Sequence, residues 1–214
     1  MKGDIAGIRK NYSQKKLSEK KAAEDPFRQF AKWWKQAIAS SIDEVNAMTL
    51  ATASADGLPS ARIVLLKDFS TKGFSFFTNY DSFKGQQLAE NPRACLVFFW
   101  KELERQVRIT GFTEKLDEES SSSYFRSRPA ASQAGAVASP QSRVIVNREW
   151  LEEQYKAVKL ISKGKKIPRP EHWGGYIVKP VIMEFWQGRA GRLHDRLQYS
   201  LQSDGAWKME RLAP

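Results

Sequence analysis

Apolar residues first recur at helical spacing after Asp25, which can cap a helix and is followed by Pro26, a residue favoured in the first helical turn. The positions that would share one apolar face are Phe27, Phe30, Trp34, Ala37 and Ile38. This spacing predicts an amphipathic helix that begins at Pro26 and ends near Ser40 or Ser41.

Most of the remaining pattern consists of short apolar runs separated by turn-forming residues. These runs predict strands at residues 47–54, 60–67, 73–78, 93–101, 104–116, 175–186, 193–202 and 206–212. The Ala55-Asp56-Gly57 turn would join the first two strands in a hairpin. Helical patterns occupy residues 82–90, 117–127, 130–138 and 147–162. Because antiparallel strands dominate and helices flank them, the sequence predicts a mainly β, α+β fold built on a β-barrel.

Charge is distributed unevenly along the 214 residues, whose formal net charge is +11. Residues 1–21 hold seven Lys or Arg and two Asp or Glu, so this segment contributes 7 − 2 = +5. We therefore predict a basic, flexible N-terminal arm at residues 1–24 and one domain at residues 25–214. The other cations are scattered singly, which suits small anions such as phosphate esters better than a nucleic-acid backbone.

Several classes of protein are disfavoured by what the sequence lacks. No G-x-G-x-x-G or P-loop motif is present, which disfavours the common nucleotide-binding folds. Two histidines and one cysteine do not suggest a metal cluster. No apolar run approaches the roughly 20 residues that span a bilayer, and residues 1–21 lack the apolar stretch of a secretory signal. We expect a cytoplasmic protein that binds no metal, membrane or nucleic acid.

The segment from Arg192 to Arg196 carries the strongest local signal for chemistry. On a strand, Arg192, His194 and Arg196 would project from one face, with Leu193 and Asp195 on the other. Three cationic or protonatable groups on one face repel each other unless an anion lies between them. The pattern indicates a phosphorylated or electron-rich ligand; the alternative is a solvated edge strand whose charge Asp195 offsets.

A second basic segment is an apolar strand bracketed by Arg62 and Lys67, which lie roughly 16 Å apart along an extended chain. Strict alternation places the two cations on opposite faces, where they could serve two different anions, unless a bulge brings them together. Cations also commonly flank buried strands, so this motif alone is weak.

A third candidate is a row of hydroxyl and guanidinium groups. If the helix that starts near residue 117 continued through Pro129, Tyr124, Arg128 and Ser132 would lie at successive i, i+4 positions. An Arg with hydroxyl donors suits a phosphate monoester. Taken alone, the motif is more typical of a surface helix with one Arg.

Eight short segments lie in order between Arg62 and Pro214 and belong to a pattern that extends from about Arg9 over nearly the whole chain. They are R-I-V-L-L-K, N-P-R-A-C-L-V-F-F-W, E-R-Q-V-R, Y-F-x-S-R-P, H-W-G-G, E-F-W-Q-G, R-L-H-D-R and R-L-A-P. In this order and spacing they resemble the pyridoxamine 5′-phosphate oxidase family. The resemblance implies a split β-barrel flavoprotein that acts as a homodimer, with FMN bound between its two subunits.

The same resemblance implies which residues form the site. For FMN it implies Arg62, Ile63, Val64, Leu65, Leu66, Lys67, Phe77, Thr78, Lys84, Gln106, Gln141, Ser142, Trp186 and Arg196, together with the position that Phe83 occupies. For the substrate phosphate it implies Lys67, Tyr124, Arg128 and Ser132. Arg192 and His194 would be the catalytic pair that orients and polarises the pyridine ring. Arg9 and Tyr12 would cover the substrate, which gives the basic arm a role as a lid.

The implied reaction is the oxidation of pyridoxamine 5′-phosphate or pyridoxine 5′-phosphate by O2 to pyridoxal 5′-phosphate and hydrogen peroxide, in vitamin B6 biosynthesis and salvage. A hydride would leave the 4′ carbon of the substrate for the flavin, and the amine substrate would finally release ammonia. The flavin supplies this chemistry, while the protein contributes positioning and nearby positive charge.

One departure from the family pattern bears on cofactor binding. The family usually has two adjacent basic residues after the Ser of its N-Y-x-S segment, whereas here Ser82 is followed by Phe83 and Lys84. One cation for the flavin phosphate is therefore missing. Ala130 and Ala134 also replace larger family residues, and we interpret those as packing or surface changes.

Three other functions remain open at this stage. A non-enzymatic carrier of pyridoxal phosphate would keep Tyr124, Arg128 and Ser132 yet show no turnover. A nucleic-acid-binding protein would show affinity that falls steeply with salt and depends on residues 1–21. Another split-barrel flavoprotein could act on a different substrate, but the R-L-H-D-R segment argues against it.

Overall fold

The computed structural model describes residues 5–7, 11–162 and 165–214. The chain divides into two compact units. Unit 1 comprises Met1–Thr49, Cys95–Thr110 and Pro180–Pro214, and unit 2 comprises Leu50–Ala94 and Gly111–Lys179. The boundary between an N-terminal arm and a domain at residue 25 stays a prediction.

Five α-helices and nine strands lie within the described residues. The helices are α1 (Pro26–Ile38), α2 (Phe83–Glu90), α3 (Glu118–Ser127), α4 (Ala130–Ala138) and α5 (Arg148–Ile161). The strands are β1 (Ala47–Ala53), β2 (Pro59–Leu65), β3 (Asp68–Ser70), β4 (Gly73–Asn79), β5 (Arg93–Trp100), β6 (Arg105–Lys115), β7 (Trp173–Gln187), β8 (Asp195–Leu201) and β9 (Trp207–Leu212). All of the predicted elements are present, and the short strand β3 was not predicted.

Hydrogen bonding joins the strands in the order β2-β1-β5-β6-β7-β4-β3, with β8 paired to β7 and β9 to β8. The predicted hairpin of β1 and β2 is confirmed, and Gly57 in its turn has a φ of 90°, which favours glycine. In unit 2, β4 runs antiparallel to β3 and to the first half of β7. In unit 1, β8 runs antiparallel to the second half of β7 and to β9. The α+β class with an antiparallel sheet is therefore confirmed.

The core of unit 1 forms where α1 packs on aromatic strand residues. Asp25 caps α1 by accepting a hydrogen bond from the Arg28 amide, as the sequence predicts. The buried stripe runs through Phe30, Trp33 and Ala37, and Trp34 is half-buried against Phe30 and Trp100. The prediction was wrong only for Ile38, which is 60% exposed. Trp33 belongs to the stripe because its ring contacts Phe185 edge to face at 5.4 Å.

In unit 2, helices α3, α4 and α5 enclose a smaller apolar cluster of Phe125, Ala134, Ile167 and Trp173. Phe77 and Tyr124 pack against this cluster and are only partly buried. The cluster therefore fixes one aromatic surface of the cavity described below. No helix within the described ranges is both long and apolar enough to cross a membrane.

We predict that the folded protein loses stability steeply above pH 10. Burial raises the pKa of Tyr176 to about 12, and burial likewise raises the pKa of Tyr199 to about 12. Below pH 10 both phenols are neutral in the folded and unfolded states; above it the unfolded state ionises first, so stability falls as pH approaches 12. Urea unfolding should show a loss of roughly 1 kcal/mol per tyrosine between pH 9 and pH 11.

A Tyr199→Phe variant provides the control, because it removes one titrating phenol and its hydrogen bond to the Ala23 carbonyl, which measures 2.6 Å. This variant should be less stable than the unmodified chain at pH 9 but should lose less stability by pH 11. Parallel pH profiles for the two proteins would contradict the assignment.

Candidate active site

A polar cavity of about 680 Å³ lies in unit 2 and is rich in positive charge. It is lined by Arg62, Ile63, Val64, Leu65, Lys67, Phe77, Thr78, Asn79, Lys84, Tyr124, Arg128, Pro129, Ser132, Gln141 and Trp173. No acidic side chain occurs in this lining, so the four cations receive no carboxylate there. Such a cavity favours an anionic ligand.

Arg62 and Lys84 define one group of cations in this cavity. Arg62, on β2, donates from Nη1 to Thr52 Oγ1 at 2.6 Å. Lys84, the second residue of α2, is only 8% exposed, and its Nζ lies 3.4 Å from both Ser82 Oγ and Gln141 Oε1. Burial lowers the pKa of Lys84, and the nearby Arg62 lowers that pKa further. The burial of Lys84 and its proximity to Arg62 both disfavour the charged ammonium. A bound anion would offset the repulsion between these two cations.

Arg128 belongs to a second group that includes Lys67, Tyr124 and Ser132. Its guanidinium lies over the Trp173 ring at 4.6 Å. Its Nη1 is buried and has no hydrogen-bond partner among the residues that the structure describes. A buried charged donor without an acceptor is costly, so a ligand oxygen is the natural partner for this group.

The condition for a helical row of Tyr124, Arg128 and Ser132 is not met, because the chain forms two separate helices there, as predicted. All three side chains nevertheless line the cavity. Helix α3 ends at Ser127, and Arg128 is extended with a ψ of 151°. Proline disfavours helical backbone at the residue that precedes it, which accounts for the break before Pro129. Helix α4 then begins at Ala130 and carries Ser132 back to the cavity.

A similar correction applies to Arg62 and Lys67. Strand β2 ends at Leu65, so strict alternation does not extend to Lys67, whose amide donates to the Ser75 carbonyl at 2.9 Å. Both cations consequently line one cavity instead of pointing to opposite faces.

Stacked aromatic rings form one wall of the cavity. Phe77 stacks on Tyr124 at 3.9 Å and on Trp173 at 5.6 Å. Gly175, opposite Phe77 in the sheet, permits this contact, because a Cβ there would lie 2.8 Å from the Phe77 ring. Trp173 was not among the predicted site residues. The sequence feature that could have indicated Trp173 is its position directly before the Gly174-Gly175 pair.

In unit 1, the predicted residues near the end of β7 are held by a buried carboxylate. Trp186 and Arg196 are partners in the β7–β8 register. Arg196 Nε donates to Glu184 Oε1 at 2.9 Å, and Glu184 is 2% exposed. Glu184 raises the pKa of Arg196 through this hydrogen bond, so the guanidinium stays charged. Gln106, on β6, is half-buried.

Arg192 and His194 do not lie on a strand, so the predicted alternation of Arg192, His194 and Arg196 was wrong. Arg192 ends a 3₁₀ turn with a φ of 62°, and β8 begins only at Asp195. His194 Nδ1 accepts a hydrogen bond from the Arg189 amide at 3.1 Å, and its ring lies 4.7 Å from Trp186. Burial lowers the pKa of His194, and so does the charge of Arg192. The turn therefore presents a neutral imidazole whose Nε2 carries the N–H.

Not every predicted site residue lines the unit 2 cavity. Leu66 is buried at 4% exposure, Phe83 is 53% exposed at the first position of α2, and Ser142 is exposed with a φ of 70°. Tyr12 contacts Trp186 and His194 within unit 1. Arg9 lies outside the described residues.

Sequence comparison decides the family. Residues 34–162 match the family described as pyridoxamine 5′-phosphate oxidase. The chain belongs to this family. Residues 173–214 match a second family model, described as the pyridoxine 5′-phosphate oxidase C-terminal dimerisation region.

Relatives in the pyridoxamine 5′-phosphate oxidase family match over almost the whole chain. A pyridoxine/pyridoxamine 5′-phosphate oxidase from Trichormus variabilis is 55% identical over 210 residues, 98% of both chains. One of the same name from Gloeothece citriformis is 54% identical over 214 residues, 100% of both chains. The crystal structure of PhzG from Burkholderia lata, in complex with tetrahydrophenazine-1-carboxylic acid, has a TM-score of 0.89 at 30% identity and covers 95% of this chain and 100% of that one.

Proposed function

We propose that this chain binds FMN and oxidises pyridoxine or pyridoxamine 5′-phosphate to pyridoxal 5′-phosphate, with O2 as the electron acceptor. The relatives above, 55% and 54% identical, carry the name of this activity. The observation that carries the proposal for this chain is the buried Nη1 of Arg128, which has no acceptor among the described residues and lies in a cavity with three further cations. Phosphate esters supply the acceptor oxygens that such a site lacks.

We assign the FMN phosphate to Arg62 and Lys84. Lys84 is buried beside the Ser82 hydroxyl and the Gln141 carbonyl oxygen, while Thr78 Oγ1 lies 3.3 Å from that same oxygen. This set combines two cations with neutral polar groups, which fits a phosphate and the polar edge of a heterocycle. Residues 63–67 and Phe77 would line the same pocket. We also assign to FMN binding Ser142 and, in unit 1, Gln106, Trp186 and Arg196.

We assign the substrate phosphate to Lys67, Tyr124, Arg128 and Ser132. Lys67 Nζ lies 6.0 Å from the centroid of the Tyr124 ring, and Arg128 lies over the Trp173 ring. Each cation is therefore adjacent to an aromatic face. Arg128 can offer two parallel N–H donors to one phosphate. The aromatic wall of Phe77, Tyr124 and Trp173 would exclude water from that contact.

Arg192 and His194 are assigned to the pyridine ring of the substrate, where they orient and polarise it. Because the pKa of His194 is lowered, its ring would be neutral near pH 7 and would donate a hydrogen bond from Nε2. When FMN is bound, its ring supplies the hydride acceptor and the route of electrons to oxygen. The protein's own share is to fix the substrate's 4′ carbon in a reactive geometry.

We further propose a split-barrel homodimer with FMN at the subunit interface. Residues 173–214 match a region described as a dimerisation region. Large apolar side chains on the strands are exposed in the isolated chain, including Ile63 at 65% and Phe99 at 54%. Such side chains are typical of a surface that a second subunit covers.

An anaerobic titration tests the function directly. The purified protein should show a flavin absorption band, and that band should bleach when pyridoxamine 5′-phosphate is added without oxygen. Admitting oxygen should restore the band and produce hydrogen peroxide. A protein that binds pyridoxal phosphate but neither bleaches nor consumes oxygen would instead be a carrier.

Phe83 leads to a separate prediction about flavin retention. A Phe83→Arg variant should bind FMN roughly tenfold to a hundredfold more tightly, since a charge-assisted contact contributes about 1.5–3 kcal/mol. The site is accessible, because Phe83 is 53% exposed beside Lys84 at the start of α2. Titrating both apoproteins with FMN measures the difference, with Phe83→Gln as the uncharged control. Equal dissociation constants would show that this position has no effect.

A further inference from the structure

Within unit 1, two carboxylates hold the N-terminal segment at residues 11–17. Glu104 Oε2 accepts hydrogen bonds from the Ser13 amide at 2.9 Å and the Gln14 amide at 3.1 Å. Asp195 Oδ2 accepts one from the Leu17 amide at 3.0 Å, and the Leu17 side chain is 5% exposed. Backbone N–H groups bonded to carboxylates form charge-assisted contacts that depend on backbone position and not on side-chain identity.

Glu104 is itself held rigidly. It is 2% exposed and ends a 3₁₀ turn with a φ of 53°, a conformation that costs free energy for a residue other than glycine. Its own carbonyl accepts from the Gly188 amide at 2.7 Å and from Gln187 Nε2 at 3.1 Å. The carboxylate is thereby fixed relative to the end of β7.

The contacts of Glu104 place Tyr12 beside His194, which is assigned to the substrate ring, and beside Trp186, which is assigned to FMN. The Tyr12 ring meets Trp186 edge to face at 5.6 Å and lies 5.8 Å from the His194 ring. The fit against Gly188 is close, because a Cβ there would lie 2.7 Å from Tyr12 Cγ. Tyr12 precedes the two anchored amides directly, so their hydrogen bonds determine where its ring can lie.

We propose that Glu104 is a positioning residue for substrate binding: its carboxylate anchors the amides of Ser13 and Gln14 and so holds Tyr12 against Trp186 and His194. This inference rests on the proposed function, because it assigns the His194 region to the substrate ring. Glu104 acts through Tyr12 and takes no part in the chemical step. Its loss therefore weakens substrate binding while leaving the flavin and the chemistry in place.

Kinetics of a Glu104→Gln variant test the role, with Glu102→Gln as the matched control. The substituted amide would keep the shape of the Glu104 side chain but lose its charge, whereas the exposed Glu102 contributes only its carbonyl to this segment, through Gln14 Nε2 at 2.7 Å. For Glu104→Gln we expect KM for pyridoxamine 5′-phosphate to rise on the order of tenfold, with kcat within about twofold and FMN affinity unchanged. For Glu102→Gln we expect no change.

A double-mutant cycle separates positioning from general structural damage. In a Tyr12→Ala background, the Glu104→Gln change should add little to the KM, because the ring that it positions is already absent. Additive effects, or a parallel loss of kcat and FMN affinity, would overturn the proposal.

Limited proteolysis tests the anchor without any reference to activity. Lys15 and Lys16 are exposed but lie between the amides bound by Glu104 and Asp195. Trypsin should cleave after them several-fold faster in Glu104→Gln than in Glu102→Gln. Equal cleavage rates in the two variants would contradict the proposal that Glu104 anchors this segment. If the unmodified chain fails to oxidise the substrate while the cleavage rates still differ, the proposed function fails but the anchor stands.

Discussion

Replacing Arg128 with alanine should raise the KM for pyridoxamine 5′-phosphate by roughly a hundredfold, which corresponds to about 3 kcal/mol of lost binding free energy. The guanidinium lies 4.6 Å from the centroid of the Trp173 ring, and its Nη1 is buried without an acceptor in the described part of the chain. A substrate phosphate would satisfy this donor, and alanine would remove the guanidinium and leave only Lys67 and the two hydroxyl groups to bind the phosphate. Steady-state oxygen consumption at varied substrate concentration measures the effect.

Arg126→Ala is the matched control, because Arg126 lies two residues away and its side chain is 52% exposed and paired with Glu119 at 2.8 Å. We expect its KM to be unchanged, since exposed ion pairs contribute little. Arg128→Lys should recover only part of the affinity, because an ammonium lacks the planar pair of donors. The FMN dissociation constant should stay the same in all three variants. An altered flavin affinity with normal KM would assign Arg128 to the cofactor phosphate instead.

The sequence predicted the members of this site better than it predicted their geometry. Tyr124, Arg128 and Ser132 were grouped by helical spacing, yet Pro129 ends that helix and the three side chains meet through a turn. Local rules for proline predicted this break at residues 128–129, which the structure confirms. They could not have predicted the convergence, which depends on how α4 packs against Trp173 and Phe125.

Around His194, the sequence pattern predicted the wrong secondary structure. Alternating charged and apolar residues suggested a strand, but Gly191 and Arg192 both adopt a φ of 62° and form a turn. Gly191 was the available signal, since glycine readily takes that conformation. The hydrogen bond from the Arg189 amide that fixes the His194 ring is a property of the turn and has no counterpart in a strand.

The most consequential contacts were beyond sequence reasoning because their partners are far apart in the chain. Glu104 binds the amides of Ser13 and Gln14 across about ninety residues, and Lys84 lies against Gln141. Glu104 and Trp173 lie in the segments E-R-Q-V-R and H-W-G-G, but neither segment indicates which distant residues they contact. Such pairs become visible only once the sheet brings distant strands and loops together.

Replacing Lys84 with methionine should weaken FMN binding by roughly tenfold to a hundredfold without destabilising the apoprotein. Lys84 is 8% exposed, and no carboxylate within the described ranges pairs with it, so its ammonium is partly desolvated and uncompensated before a ligand binds. Methionine fills a similar volume and removes that unfavourable charge. Equilibrium titration with FMN and urea unfolding of the apoprotein give the two free energies, with the exposed Lys72→Met as the control.

The dependence of this effect on pH separates charge from packing. Because burial and Arg62 lower the pKa of Lys84, the apoprotein loses this proton at a lower pH than an exposed lysine would. A bound phosphate favours the protonated form, so FMN binding must take up a proton once the pH exceeds the lowered pKa, and affinity falls from that point upward. In Lys84→Met this decline should be absent, while Lys72→Met should retain it. A decline of equal slope in Lys84→Met would mean that another group titrates and that Lys84 acts through its packing alone.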